Sequence, residues 1–306
     1  MIHAYIPKYM YAKGQARFLE GLQLTELVKV FYFDDIKELC LIDEANSVII
    51  AGISPDKLKF IVHDKVYYCF TSPLGQADLS SSQWPSPEMD ILHQVINLKS
   101  QGKIRDCIVS SYSVAFAYDF IYLPRICKFH DKDVKFTLER RNYGFLGNNL
   151  RKHKNAHNQI AAMSLLKPND PIVVSEDFPC YYFEQFHREA KFLPILLKSD
   201  IDYYNEISTH RLGFQCSFSE SFDYMAFEYC LSGVPVIGSA VLDWYPYKEC
   251  IVKNPDDVKE IYNVAQQLIN NKCFYSKISE KLSIWAKEFN ARSIDSAVKD
   301  IHDRIL

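Results

Sequence analysis

The sequence predicts an α/β protein made of two doubly wound parallel sheets that face a cleft. Three observations predict it. Short apolar runs rich in β-branched and aromatic residues recur along the chain without alternating, which marks strands buried on both faces. Segments with helical spacing lie between many of them, as parallel strands require. The alternation runs through twice, on either side of the polar stretch RICKFHDKDVKFTLERR at 125–141, which is read as the joint.

In the first half the strands are MIHAYIP (1–7), VKVFYF (28–33), SVIIAGI (47–53), VYYCFTS (66–72), DCIVSSY (106–112) and FIYLP (120–124). Helical segments fall at 13–27 and 87–101. The second opens on Pro85-Ser86-Pro87-Glu88, with proline in the first turn, where its missing N–H is harmless. In the second half the order is strand 143–147, helix 154–166, strand 171–176, helix from about 180 and strand 191–197. It continues with helix 202–210, strand 213–218, helix 222–232 and strand 234–239, then a mostly helical tail over 256–306. The domains are therefore placed at 1–127 and 128–306, with the last helix able to return to the first.

Of the 306 residues, 48% are hydrophobic and 24% charged, the balance of a globular chain with a real core. A net charge of −3 supplies no strong field for nucleic acid or anionic membrane, so a polyanion would need a local patch. The nine cysteines form no CxxC pair or zinc spacing. Cys69, Cys107, Cys216 and Cys230 lie in apolar runs and read as small buried hydrophobes in a reducing compartment. No apolar leader segment opens the chain and no window approaches 18 apolar residues. A soluble, cytoplasmic protein without membrane insertion is expected. Oligomeric state is not set by these features.

The stretch SFSESFDYMAFEYCLSGVPVIGS, 217–239, carries Glu220 and Glu228 eight residues apart. Glu176 with Glu184 and Glu280 with Glu288 share that spacing, so context must choose. Pro179 interrupts the first of these pairs, and the second lies on a tail helix with no strand–turn entry. Glu220, in contrast, falls in the turn between a strand and the next helix. That is the carboxyl end of a parallel strand, where a helix N-terminus presents unpaired N–H groups. Glu228 follows two turns along the helix. Carboxylates accept from paired sugar hydroxyls, and the amides of Ser221, Phe222, Asp223 and Tyr224 suit an anion. The plain reading is a dipole-favoured charge at Glu220 and a solvated helix residue at Glu228.

Glu220-x7-Glu228 followed by Gly233-x-Pro235-Val-Ile resembles the donor-site signature of the retaining glycosyltransferases of GT-B fold, which have two Rossmann-like domains. YGFLGNNLRKHKNAHNQIAAM, 143–163, is similar to the strand, glycine turn, basic residues and helix that open that family's donor domain. The resemblance covers 120–260 well and the first 120 residues loosely. It implies that Glu220 contacts the transferred sugar and Glu228 the ribose, while Arg151 and Lys154, with Lys152 and His153 beside them, neutralise the diphosphate. Gly147, Asn148 and Asn149 join the donor site. The chain departs from the family at Asn148, where an arginine is usual, and at Ser221 and Asp223, where glycines are. Aspartate repels phosphate unless it turns away to cap the helix.

The resemblance implies transfer from a nucleotide-diphosphate sugar, with UDP-sugar expected, no metal and no other cofactor. The sugar keeps its configuration and the leaving phosphate takes the acceptor's proton. On the acceptor side, Gly14 and Arg17 at a helix start and Ser72, Gln76 and Asp78 in a polar loop are candidates, the loop being equally readable as plain connection. The wording SESF…GVPVIGS is similar to small bacteriophage glycosyltransferases, some of which modify 5-hydroxymethylcytosine in DNA. That acceptor would need a basic groove, to which Lys99, Lys103 and Arg105 could contribute, although a solvated helix end also describes them. Cell-surface glycan, lipid or protein acceptors are the alternative, and a non-catalytic nucleotide- or sugar-binding module is another.

Asp131-x-Asp133 and Asp200-x-Asp202 have the metal-binding DxD pattern of the other main glycosyltransferase fold, which would leave both motifs above unexplained. His63-Asp64, if on a strand, would point to opposite faces and read as a surface pair.

Overall fold

The computed structural model describes residues 1–11, 14–41, 45–72, 87–128, 140, 142–145, 152–166, 171–196 and 199–306. The chain forms two compact units: Met1–Lys128 with Phe289–Leu306, and Phe129–Glu288.

Unit 1 holds a six-stranded parallel sheet. Its strands are β1 (Ile2–Pro7), β2 (Val28–Phe33), β3 (Ser47–Ala51), β4 (Val66–Phe70), β5 (Asp106–Val109) and β6 (Ile121–Tyr122), in the order β2-β1-β3-β4-β5-β6. The helices are α1 (Gly14–Leu22), α2 (Pro87–Ser100) and α3 (Tyr112–Tyr118). β3 and β4 are buried at every position, which is why their sequences show no alternation. One sheet face packs Ile2, Ala4 and Ile6 against Phe18, Leu19 and Leu22 of α1, together with Ala297, Ile301 and Ile305 from the end of the chain. The other packs Val48, Ile50 and Tyr68 against Leu92 and Val95 of α2.

Unit 2 repeats the plan with β7 (Asn142–Phe145), β8 (Ile172–Ser175), β9 (Phe192–Ile195), β10 (His210–Gln215), β11 (Val236–Ser239) and β12 (Ile251–Val252). Their order is β12-β11-β10-β7-β8-β9, all parallel. Counted from β7, that is the dinucleotide-binding order 3-2-1-4-5-6, whose reversal falls between β7 and β10. The helices are α4 (Ala156–Leu165), α5 (Cys180–Phe186), α6 (Asp200–Thr209), α7 (Tyr224–Leu231), α8 (Val258–Asn270) and α9 (Lys272–Arg304), the last continuing into unit 1. Pro194 is accommodated because β9 is an edge strand.

The sequence over-extended several strands at their carboxyl ends. DCIVSSY stops at Val109 because Ser111 caps α3, accepting from the Val114 N–H. The helix at 202–210 begins at Asp200 and ends at Thr209, and β10 starts at His210 rather than 213. His63 and Asp64 lie in the bend before β4, not on a strand. His63 Nδ1 accepts from the Lys65 N–H at 3.0 Å, so the ring closes that bend. The thiols of Cys69, Cys107, Cys216 and Cys230 are buried, and burial pushes Cys69 up to about 12. Among the described residues no helix is long and apolar enough to cross a membrane.

Candidate functional site

The two sequence motifs meet at the reversal point of the second sheet. β7 leads into the tight turn Lys152–Lys154 and α4, while β10 leads into 216–223 and α7. Backbone-directed contacts bind these segments. Phe218 N–H donates to His153 O at 2.7 Å. Asn155 Nδ2 donates to Cys216 O at 3.0 Å and to Pro255 O at 2.6 Å. Gln159 Oε1 accepts from the Cys216 N–H at 2.8 Å, and its Nε2 donates to Lys154 O at 2.7 Å. Asn155 has φ of 53°, the left-handed region that asparagine tolerates better than most residues. The buried Asn and Gln therefore aim the turn that carries Lys154.

At the mouth of this arrangement Lys154 Nζ is ion-paired and hydrogen-bonded to Glu220 Oε1. The side chains are 13% and 7% exposed, so the pair is shielded from bulk water without being sealed. An ammonium and a carboxylate thus stand together at the start of α7, where the first-turn N–H groups add partial positive charge.

Asp223, one of the departures from the family pattern, has φ of 66° and accepts from the Ala226 N–H at 3.0 Å. It caps α7. The left-handed backbone, which glycine would adopt without strain, is kept here by an aspartate whose carboxylate binds its own helix. Phe222 stacks on Trp244 at 5.1 Å, and Trp244 Nε1 donates to Phe222 O at 2.7 Å, which pins the loop after Ser221. Tyr224 is buried at the first turn of the helix.

Glu228 is not a solvated helix residue: it is 0% exposed. Tyr203 OH donates to its Oε2 at 2.6 Å, and Tyr204 OH approaches Oε1 at 3.5 Å. The neighbouring Tyr229 hydroxyl meets His210 Nδ1 at 2.9 Å, while His210 Nε2 meets Glu206 Oε1 at 3.2 Å. Burial lowers His210 from its ordinary value and raises Tyr229. In the neutral ring that burial favours, Nε2–H would donate to Glu206 and Nδ1 would accept from the tyrosine. Sequence reasoning missed this seam of Tyr203, Tyr204, Glu206, His210 and Tyr229. The signal was the spacing of Tyr203 and Glu206, one turn apart on α6; His210 opens β10, and the partners of Tyr203 and His210 lie on α7, outside any short window.

Gly233 and Pro235 of the signature have a local reason. The Gly233 N–H donates to Cys230 O at 2.9 Å and the Val234 N–H to Tyr229 O at 2.8 Å, with φ of 65° at Gly233. This is a left-handed helix stop followed by proline. Arg140 and α9 hold the same end: Arg140 donates to Ser232 O and Gly233 O, and Ser283 Oγ to Leu231 O at 2.7 Å.

Other candidates fall elsewhere. Gly147, Asn148, Asn149 and Arg151 lie outside the described residues, as do Gln76, Asp78 and the pair Asp131 and Asp133. Gly14 opens α1, and a Cβ there would meet nothing within 4 Å, so the fold of unit 1 does not require glycine. Arg17 lies on α1 and Ser72 just after β4, both half-buried. Asp200 and Asp202 fall in the first turn of α6, where Ser199 Oγ caps the Asp202 N–H at 3.2 Å. No cluster of three metal-binding side chains occurs among the described residues. Lys99 bridges Asp106 at 2.8 Å and donates to Asp119 O, and Arg105 donates to Asp64 O, so these two brace unit 1.

No protein-family model and no curated protein matches the chain by sequence. Solved structures do match. Sucrose-phosphate synthase from Thermosynechococcus elongatus is similar at 13% identity with a TM-score of 0.74, over 99% of this chain and 98% of its own. WaaG, a glycosyltransferase involved in lipopolysaccharide biosynthesis, is 11% identical with a TM-score of 0.64, over 100% and 99%. S. aureus TarM, solved with fondaparinux, α-GlcNAc-glycerol and UDP, is 12% identical with a TM-score of 0.64, over 84% of this chain and 55% of its own. At these identities the likeness establishes the fold, that of the GT-B proteins.

Proposed function

We propose that the protein is a glycosyltransferase that moves a sugar from a nucleotide-diphosphate sugar to an acceptor hydroxyl with retention of configuration. The observation that carries this reading is the meeting of Lys154 and Glu220 at the reversal point of a dinucleotide-order sheet. In the free protein the two charges satisfy each other. A nucleoside diphosphate entering there takes Lys154 and the α7 N–H groups as counter-charges. Glu220 is then released toward the hydroxyls of the transferred sugar. Cations and helix N-termini stabilise the departing diphosphate without a metal. The departing phosphate accepts the acceptor's proton, so no separate protein base is needed. Arg151, Gly147, Asn148 and Asn149 keep their proposed donor roles, and Gly14, Arg17, Ser72, Gln76 and Asp78 their acceptor roles.

UDP-sugar is the donor we favour, supported by the UDP held by the TarM structure. The acceptor we place first is 5-hydroxymethylcytosine in phage DNA, on the resemblance of SESF…GVPVIGS alone. Its basic groove would have to come from residues other than Lys99 and Arg105. A glycan acceptor is the second reading, favoured by the α-GlcNAc-glycerol of TarM and the lipopolysaccharide role of WaaG. The test is nucleoside diphosphate release from UDP-, GDP- and ADP-sugars, with and without 5-hydroxymethylcytosine DNA. Release from one donor that rises only with that DNA supports both donor class and acceptor. Release indifferent to DNA keeps the enzyme and moves the acceptor to glycan, lipid or protein. No release from any donor makes the chain a binding module.

A further inference from the structure

We propose that the outer side of α5 and the adjoining edge of β9 form a two-fold interface with a second copy of this chain. The surface lies wholly within unit 2 and is independent of the glycosyltransferase reading. Its first mark is a mismatch between sequence and burial. β9 and the residue after it read Phe192-Leu193-Pro194-Ile195-Leu196, a run as apolar as β3 or β4. β3 and β4 are buried at every position, whereas no residue of this run is buried, and Leu193, Pro194 and Leu196 are exposed. Such a run suits an edge that is covered from outside its own sheet.

α5 adds rings to the same surface. Phe183 turns inward, stacking on Phe178 at 4.9 Å and approaching Phe192 at 6.4 Å, which seats the helix against β9. Away from that contact Tyr181, Tyr182 and Phe186 are 77%, 43% and 63% exposed, with the last two a turn apart and their rings 5.2 Å from each other. Together the three rings show on the order of 400 Å² to water, the size of the largest apolar patch on a typical monomer. Leu193, Leu196 and the polar rim carry this toward the roughly 800 Å² per partner of a stable interface.

Charge selects the partner. Glu176 and Asp177 stand exposed at the entry to α5, and Arg188 and Lys191 beyond its end, with Glu189 between them; Glu184 and Gln185 lie exposed on the helix. A patch that is acidic at one end, apolar in the middle and basic at the other complements itself when turned through a two-fold axis. Antiparallel α5 helices then set Asp177 against the partner's Arg188 and rings against rings. An anionic lipid or nucleic-acid surface would match the basic end alone. The copies meet through side chains and not by extending the sheet. The Ile172 N–H donates to Lys191 O, so Phe192 and Pro194 hold the outer edge of β9, and Pro194 has no N–H to give.

The experiment is sedimentation velocity on the full chain over about 1 to 100 μM, with thermal melts alongside. The variants are Phe186→Glu, Tyr181→Glu, Asp177→Lys, Arg188→Glu and Asp177→Lys/Arg188→Glu. Phe116→Glu, at an exposed ring of unit 1, is the control. The expected result is a concentration-dependent dimer in the wild type and in Phe116→Glu. Phe186→Glu and Tyr181→Glu should each weaken it about ten-fold or more at unchanged melting temperature. Each charge reversal alone should weaken the dimer, and the two reversals in one chain should restore it, because each copy then meets the opposite charge on the other. A wild type that stays monomeric overturns the proposal, and so does a dimer indifferent to both glutamate variants. A double reversal weaker than either single one overturns it as well, as does a monomer that Tyr181 and Phe186 bind to vesicles of anionic lipid.

Discussion

Lys154 and Glu220 act on each other before any ligand arrives. Removing either leaves its partner partly buried and unpaired, a change that costs stability as well as activity. Glu220→Gln and Lys154→Ala are each expected to lower turnover by about 10²-fold or more, with the double variant far short of the product of the two. Initial-rate measurements on the three variants check this, and wild-type-like turnover in either single variant would overturn the site. Asp223 separates capping from backbone strain. Asp223→Gly should be nearly neutral in melting temperature, because glycine relieves the left-handed backbone while losing the cap. Asp223→Ala loses both and should cost about 2 kcal/mol in denaturant titrations. His210 is one contributor to acid stability. Its folded pKa is lowered by burial below the ordinary 6.5. The unfolded chain therefore binds the proton more readily, and stability is complete above that value and falls as pH drops beneath it. His187, also lowered mainly by burial, adds in the same direction. A urea midpoint that declines from about pH 7.5 to about pH 5, and declines less in His210→Gln, is the expected outcome.

Among the elements, α7 carries the argument because both of its ends are determined. Asp223 starts it and Gly233 stops it, while Phe222 and Phe227 lean on Trp244. Gly233→Ala forces a Cβ into left-handed backbone and should cost about 1 kcal/mol or more. The glycines of β7 and β10 have a different role. A Cβ at Gly144 would run into the Tyr229 hydroxyl and His210, and one at Gly213 into the Tyr229 ring at 2.7 Å. Gly144→Ala should therefore break the seam behind Glu228, lowering both melting temperature and nucleotide affinity, whereas Gly14→Ala should fold normally. Melting curves with UDP titrations distinguish the two.

At the level of the whole molecule, the end of the chain completes the first core. Ala297, Ile301 and Ile305 are buried against β1 and α1, and Ser47 Oγ donates to Ile305 O at 3.0 Å. Asn290 pairs with Cys127 in both directions, at 2.8 and 3.0 Å. Truncation after Glu288 removes on the order of 5 kcal/mol of burial and should leave unit 1 unfolded or aggregated, as hydrogen exchange would show. The helical pattern of 256–306 was visible in sequence. That its last turns serve the first core was legible only as an option, since periodicity names an element's apolar face and not what covers it.

Local chemistry alone determined a good deal about this protein. Unalternating apolar runs specified the fully buried strands β3 and β4, but not β2 and β9, whose positions are partly exposed, and Gly233 with Pro235 specifies a helix stop before a strand. The basic turn at 152–154 and Glu220 could be singled out because each follows a strand. Tertiary structure alone decided which of these residues touch. Strand order brings β7 beside β10, so that Lys154 meets a glutamate sixty-six residues on. The same order turned Glu228 from a surface charge into a buried one held by tyrosines. Partner choice of this kind comes from long-range packing, where two segments become neighbours through the sheet they share. No window of sequence short enough to show a period contains both.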